Sequence, residues 1–368
     1  MDYFKTYVSN TLAGSGNQHV HCPEDPAAVY TGRVYFKVFA GGNFNYSLLF
    51  SNILDSTFAD GNLSHANLIC DQWELVSASL GVVRTCAADA ATDPESSFPL
   101  TFAGKASKTV MPGEFFTSDP VSICAQKDEY LCLEISWRGR MIPYHEESIL
   151  PCFVKKDGSW VPGKFFPFPG MIGCDRKVAL RVGYIGDSIT QGIGTDVNSY
   201  DHWNAVLSEK LGDACSYWNL GLGFARGHDA ASDSAWLFKA RQVDLITVCF
   251  GVNDISRITD FDLLCRDLTT IVQTLKAAGV TVVLQTIPPA DFQDERADIW
   301  LRANDFIRTE LSRKADYVFD VVPSLWLDAA HPEKSRIGNC HPRAEGCAAW
   351  ANALYPVIKE AIEKRIQP

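Results

Sequence analysis

The sequence predicts two domains in series, an N-terminal β-sandwich followed by an α/β domain on a parallel sheet. Three observations carry this. At 368 residues the chain exceeds what one core usually supports. Up to about Gly170 its apolar residues recur mostly at every second position. After Asp175, strand-like runs alternate with helix-like ones, the pattern of a parallel sheet covered by helices.

In the first part, "RVYFKVFA" places Val34, Phe36 and Val38 on one face, and "YLCLEISWRG" places Leu131, Leu133, Ile135 and Trp137 on one face. Helical spacing is confined to a short stretch around Leu63 to Leu75. Residues 150–173, "LPCFVKKDGSWVPGKFFPFPGMIG", hold four Pro and four Gly and read as the interdomain linker, so the domains span 1–170 and 175–368. In the second part "VALRVGYI" precedes a helix near Tyr200 to Leu211. "DLITVCF" precedes "LLCRDLTTIVQTLKAAG", where Leu264, Leu268, Ile271, Val272 and Leu275 share a helical face and Gly279 caps the end. "VTVVLQTI", a helix near Asp294 to Arg313 and "YVFDVV" follow. A last helix carries Cys347, Trp350, Ala351 and Leu354 on one face.

Composition narrows the function. With 33 basic and 44 acidic residues the net charge is -11, which repels a phosphate backbone and speaks against nucleic acid as a partner. No window has the roughly 18 unbroken apolar residues of a membrane span. No signal peptide stands at the start, and the twelve Cys form no Cys-x-x-Cys pair. Several lie in apolar runs and read as buried, reduced thiols, which points to the cytoplasm. "GIGTDVN" lacks the Gly-Lys-Ser/Thr of a phosphate loop.

Three residues follow strand ends, the edge where α/β sheets bind ligands. In "RVGYIGDSITQGIGT" the first strand breaks at Gly186-Asp187 and presents Ser188 on the turn. A serine hydroxyl attacks only when a base takes its proton, and the resulting oxyanion needs donors. Asn253 in "CFGVNDIS" has an amide that donates, and His341 in "CHPRAEGCAAWANAL" stands before the last helix. Asp187 and Asp254 read as turn residues, and Cys340 as a packed thiol. His202, His228 and Asp229 read as loop or substrate-edge residues. Trp73 and Trp137 read as core, and Trp160 as a residue able to stack on a sugar ring.

These blocks resemble the GDSL-type esterases of the SGNH hydrolase superfamily. "GDSITQG" is similar to the nucleophile block, "NLGLGFARG" to the oxyanion-glycine block, "GVNDI" to the Gly-x-Asn-Asp block and "HPRAEG" to the histidine block. The resemblance covers about half of the chain, from roughly Lys177 onward. It implies a three-layer α/β/α, flavodoxin-like hydrolase domain and no metal or organic cofactor. Ser188 is then the nucleophile and His341 the base, and the oxyanion donors are the N–H groups of Ser188 and Gly223 and the Asn253 amide. The family often places its glycine one position later, where this chain has Phe224. It usually has Asp three residues before the histidine, where this chain has Gly338. "DAAHPEKS" holds Asp328 and His331 at that same spacing, so His331 with Asp328 competes with His341, which Asp328 or a backbone carbonyl would orient. Certain carbohydrate acetylesterases of the superfamily work with a Ser-His pair behind a jelly-roll-like β-sandwich. The resemblance therefore implies an esterase acting on a small-molecule or oligosaccharide O-acyl ester, above all O-acetyl. A lysophospholipase or thioesterase on the same site is the alternative, as is a carbohydrate-binding protein with a weakened catalytic centre.

Overall fold

Alternating apolar residues build the N-terminal half from strands. The computed structural model describes all residues except 1, 15, 57–65, 88–95, 147–148, 164, 233, 326–336, 339 and 368. The chain divides into two compact units, Met1–Lys177 and Val178–Pro368.

In the first unit seven described strands form one antiparallel sheet. At its centre Tyr130–Gly139 pairs with Tyr30–Lys37 on one side and Trp73–Val83 on the other. Leu131, Leu133, Ile135 and Trp137 are all buried, as their spacing predicts. Tyr35 of Tyr30–Lys37 and Cys132 of Tyr130–Gly139 are buried as well, in one cluster with Val83, so both strands are covered on their second face too. A second antiparallel sheet of five described strands runs in the order Val8–Ser9, Met171–Cys174, Gly42–Ser51, Phe115–Thr117, with Val121–Ala125 also paired to Gly42–Ser51. Trp73 of the first sheet meets Phe116 of the second edge-on, with ring centroids 6.3 Å apart.

Two expectations are corrected here. Residues 150–173 are not a linker: Cys152–Lys156 pairs with Tyr30–Lys37 and Ser159–Pro162, and Met171–Cys174 pairs with Gly42–Ser51. The turn is Asp157-Gly158 with φ of 48° and 80°, the signature of a two-residue hairpin turn rather than a loose loop. Pro162 ends an edge strand, where its missing N–H leaves no ladder bond unmade. Nor does a helix occupy the described residues around Leu75, because Trp73–Val83 is a strand flanked on both sides.

The second unit is numbered from its own start. Its strands are β1 (Arg181–Gly186), β2 (Ser216–Gly221), β3 (Leu245–Cys249), β4 (Thr281–Gln285) and β5 (Tyr317–Phe319). Its helices are α1 (Ser188–Gln191), α2 (Trp203–Leu211), α3 (Gly227–Ala231), α4 (Ala235–Ala240), α5 (Val252–Arg257), α6 (Phe261–Ala277), α7 (Asp294–Thr309), α8 (Val322–Leu325) and α9 (Ala344–Ile366). All strand pairs are parallel and the sheet order is β2-β1-β3-β4-β5. That is the flavodoxin-like order, whose direction of progression reverses between β1 and β3.

Parallel neighbours need right-handed crossovers, so reversing the progression moves the connecting helices to the other face. Helices α2 and α9 accordingly pack on each other, and α3, α5, α6 and α7 form a second group. The first group is locked by Trp203 of α2 stacked on Trp350 of α9, centroids 4.9 Å apart and planes 6° apart. Trp350 Nε1 donates to Gln285 Oε1 at the end of β4, 2.7 Å away, which ties α9 to the sheet. In α6 the stripe Leu264, Leu268, Ile271, Val272 and Leu275 is buried, and the chain leaves the helix through Gly279 at φ 80°.

Candidate active site

The first strand stops at Gly186 because nothing larger fits. A Cβ there would collide with Thr190 Oγ1 and with the Cys249 carbonyl of β3. The chain turns at Asp187, whose carboxylate accepts the Ile189 N–H at 2.9 Å and caps α1. Ser188 is thus the first residue of a helix, and the first N–H groups of a helix have no acceptor within it. Ser188 is 8% exposed, and its Oγ lies 2.7 Å from Nε2 of His341.

His341 reaches that point from the far end of the unit. A two-residue strand, Ile337–Gly338, pairs with His341–Pro342, with Gly338 opposite His341. Three residues later α9 begins, anchored through Trp350. Gly194, at φ 105°, allows the close approach, since a Cβ there would stand 2.7 Å from the His341 Cβ. Burial lowers the pKa of His341 below the ordinary histidine value, so the ring is neutral near neutral pH and able to accept a proton. Its Nδ1 lies 3.4 Å from the Cys340 sulfur.

The Asn253 amide, in the first turn of α5, donates to the Ala225 carbonyl at 3.0 Å. An amide nitrogen carries two hydrogens, so one donor remains. This bond holds Asn253 against the turn after β2, where Gly223 is buried and Phe224 takes the left-handed φ of 58°. A phenylalanine in that region is an outlier that glycine would occupy at no steric cost. Asp254 accepts the N–H groups of Gly227 and His228 at 2.9 and 3.1 Å, linking α5 to the start of α3 rather than to its own turn. Burial pushes Asp254 up to about 6 and Asp187 up to about 7.

Other expected residues are taken up structurally. His202 is 1% exposed, stands at the N-terminal boundary of α2 and has its ring against Gly192. Asp229 is held by the Arg226 guanidinium through two bonds of 2.7 and 3.1 Å. His228 Nδ1 faces Asp267 at 2.8 Å. Trp73 and Trp137 are core residues, and Trp160 lies under the Arg33 guanidinium at 4.2 Å. Asp328 and His331 lie outside the described residues. The reading of the sequence missed Gly194 and the contact of Cys340 with the His341 ring. Gly194 had a signal in "GIGT", a second glycine two residues after the one that ends α1.

Ser188, His341 and Asn253 therefore follow β1, precede α9 and follow β3, at the β1/β3 reversal where doubly wound sheets bind their ligands. This is the architecture of an α/β protein with a serine–histidine centre at its switch point. The family model of the GDSL-like Lipase/Acylhydrolase family matches residues 184–349. No curated protein matches the chain. Among solved structures, it is similar to a member of the lipolytic protein G-D-S-L family from Veillonella parvula (18% identity, 49% of this chain and 98% of the other, TM-score 0.42). It is also similar to a carbohydrate esterase family 3 protein from Talaromyces cellulolyticus (16% identity, 50% and 99%, TM-score 0.41). A third is an acetyl xylan esterase (21% identity, 48% and 99%, TM-score 0.40). Among the described residues, no helix is long and apolar enough to cross a membrane.

Proposed function

We propose that the protein is a serine esterase that hydrolyses a small O-acyl ester, with O-acetyl on a carbohydrate as the preferred substrate class. The observation that carries the reading is the 2.7 Å contact between Ser188 Oγ and His341 Nε2. The family match of residues 184–349 supports an acyl ester as the reacting group. The carbohydrate and acetyl assignments rest on the motif resemblance and on a strand-built unit preceding the hydrolase domain. We read that unit as a β-sandwich, supported by its two larger antiparallel sheets, beside a smaller three-stranded one, and by the Trp73–Phe116 contact between the larger two.

The residues would act as follows. Ser188 Oγ attacks the ester carbonyl as its proton passes to His341 Nε2. The oxyanion is held by the N–H groups of Ser188 and Gly223 and by the second Asn253 amide hydrogen. The tetrahedral adduct collapses, His341 returns the proton to the leaving alcohol, and an acyl group remains on Ser188. Water then attacks, again with His341 as base, and the carboxylic acid leaves.

Hydrolysis of p-nitrophenyl esters of increasing chain length, with acetylated oligosaccharides alongside, tests the reading. Acetyl esters should be the best substrates, and Ser188→Ala should lose both turnover and covalent labelling by a fluorophosphonate. A preference for long acyl chains would replace the carbohydrate assignment with a lipid or thioester one. Unlabelled wild-type Ser188 would remove the enzyme reading altogether.

A further inference from the structure

We propose that the Cys340 sulfur positions His341, accepting its Nδ1–H at the place where related enzymes use a carboxylate. The inference rests on Ser188 and His341 being the reacting pair. Three observations support it. The sulfur lies 3.4 Å from Nδ1, within hydrogen-bond reach for a sulfur acceptor. Cys340 holds φ at 73°, a left-handed conformation that a residue with a Cβ rarely takes, and this twist precedes His341 directly. Opposite His341 in the short hairpin stands Gly338, which has no side chain to offer.

The chemistry demands such a partner. His341 Nε2 takes the Ser188 proton only when the ring's own proton sits on Nδ1. A proton on Nδ1 in a half-buried site needs an acceptor, and among the described residues the sulfur is the one in contact. Burial and the nearby Asp187 charge raise the Cys340 pKa, so the thiol stays protonated and adds no negative charge. No proton moves to sulfur during turnover: Nδ1–H stays on the ring while Nε2 gains and returns the serine proton.

A thiol differs from a carboxylate in one respect. It also donates, and in that second arrangement S–H points to Nδ1 while Nε2–H points to Ser188 Oγ. The heavy atoms occupy the same places, but the ring cannot act as a base. Cys340 thus permits two tautomers where an aspartate permits one, and only the Nδ1–H form is active.

Kinetics of Cys340→Ala, Cys340→Gly and Cys340→Ser on p-nitrophenyl acetate, beside 15N spectra of histidine-labelled wild type, test the proposal. Cys340→Ala and Cys340→Gly should both lower kcat by about 10–100-fold with little change in KM, and Cys340→Ser should recover part of the loss. The wild-type 15N spectrum should show an Nδ1-protonated His341, and the Nδ1–H signal should shift or vanish in Cys340→Ala. Wild-type rates in all three variants would overturn the proposal. So would a fully active Cys340→Gly beside a slow Cys340→Ala, which would assign the effect to backbone strain. A loss in Asp328→Ala with none in Cys340→Ala would give the role to the carboxylate. In each of these results fluorophosphonate still labels Ser188. Failure of the esterase reading is distinct, because labelling of Ser188 is then absent from the wild type.

Discussion

A Cβ on Gly194 would stand 2.7 Å from the Cβ of His341 and 3.1 Å from the Pro342 carbonyl. The loop after α1 therefore serves as the floor on which the histidine rests. Gly194→Ala adds both a clash and an unfavourable φ of 105°. We expect it to reduce kcat/KM at least tenfold while the thermal transition falls only a few degrees, since the site lies at the rim of the unit. Steady-state kinetics beside calorimetry checks this, and an unchanged kcat/KM would show that His341 does not depend on this contact.

The pH profile should carry the imprint of burial. His341 works as a base only when neutral, and desolvation lowers its pKa. The kcat/KM of the free enzyme should rise with pH through a midpoint below the ordinary histidine value of about 6.5. A midpoint at or above that value in a p-nitrophenyl acetate titration would contradict the burial of this ring.

Asp187 predicts a pH-dependent stability. Its folded pKa is raised to about 7 from the 3.8 of an exposed aspartate. The folded state therefore binds more protons than the unfolded state between these values, and stability is lost as pH rises through this window. Asp187→Asn keeps an oxygen to cap Ile189 and removes the charge. The variant should match wild type at about pH 4 and exceed it at about pH 8, by on the order of 2 kcal/mol. Urea denaturation at the two pH values reads the difference.

Asn253 carries a distinct expectation. Asn253→Ala removes a proposed oxyanion donor and a bond to the Ala225 carbonyl. A drop in kcat of about 10²–10³-fold with KM nearly unchanged is the signature of a donor used only in the transition state. A rise in KM alone would make Asn253 a structural clasp between α5 and the turn after β2.

Much of the second unit was readable because its strands are short apolar runs and its long helices show clear spacing. Val182, Ile185, Leu245, Val248, Val282 and Val283 are all buried in strands, and the α6 stripe faces inward. The motif residues could be located because each follows a strand or precedes a helix, and sheet topology alone brings such positions to one edge. The proline- and glycine-rich stretch was misread because composition does not separate a loose connection from hairpins with tight turns. Asp157-Gly158 was the local clue, a pair that takes positive φ at both positions. The Cys340 contact was not readable at all. It depends on the left-handed twist at Cys340, which points a side chain at the ring of its own neighbour. Similarly, His202 carries no sign in the sequence that it is sealed behind Gly192 rather than open to a ligand.

The hydroxyl and imidazole that meet at 2.7 Å are separated by 153 positions in the chain. They flank nearly everything the second unit contains, from the end of its first strand to the start of its last helix. On the proposed mechanism the serine emerges during synthesis long before its partner does, so the nascent chain would lack the reacting pair until α9 has left the ribosome and docked. On the same proposal, a proteolytic cut between the two would leave fragments that each lack one member of the pair.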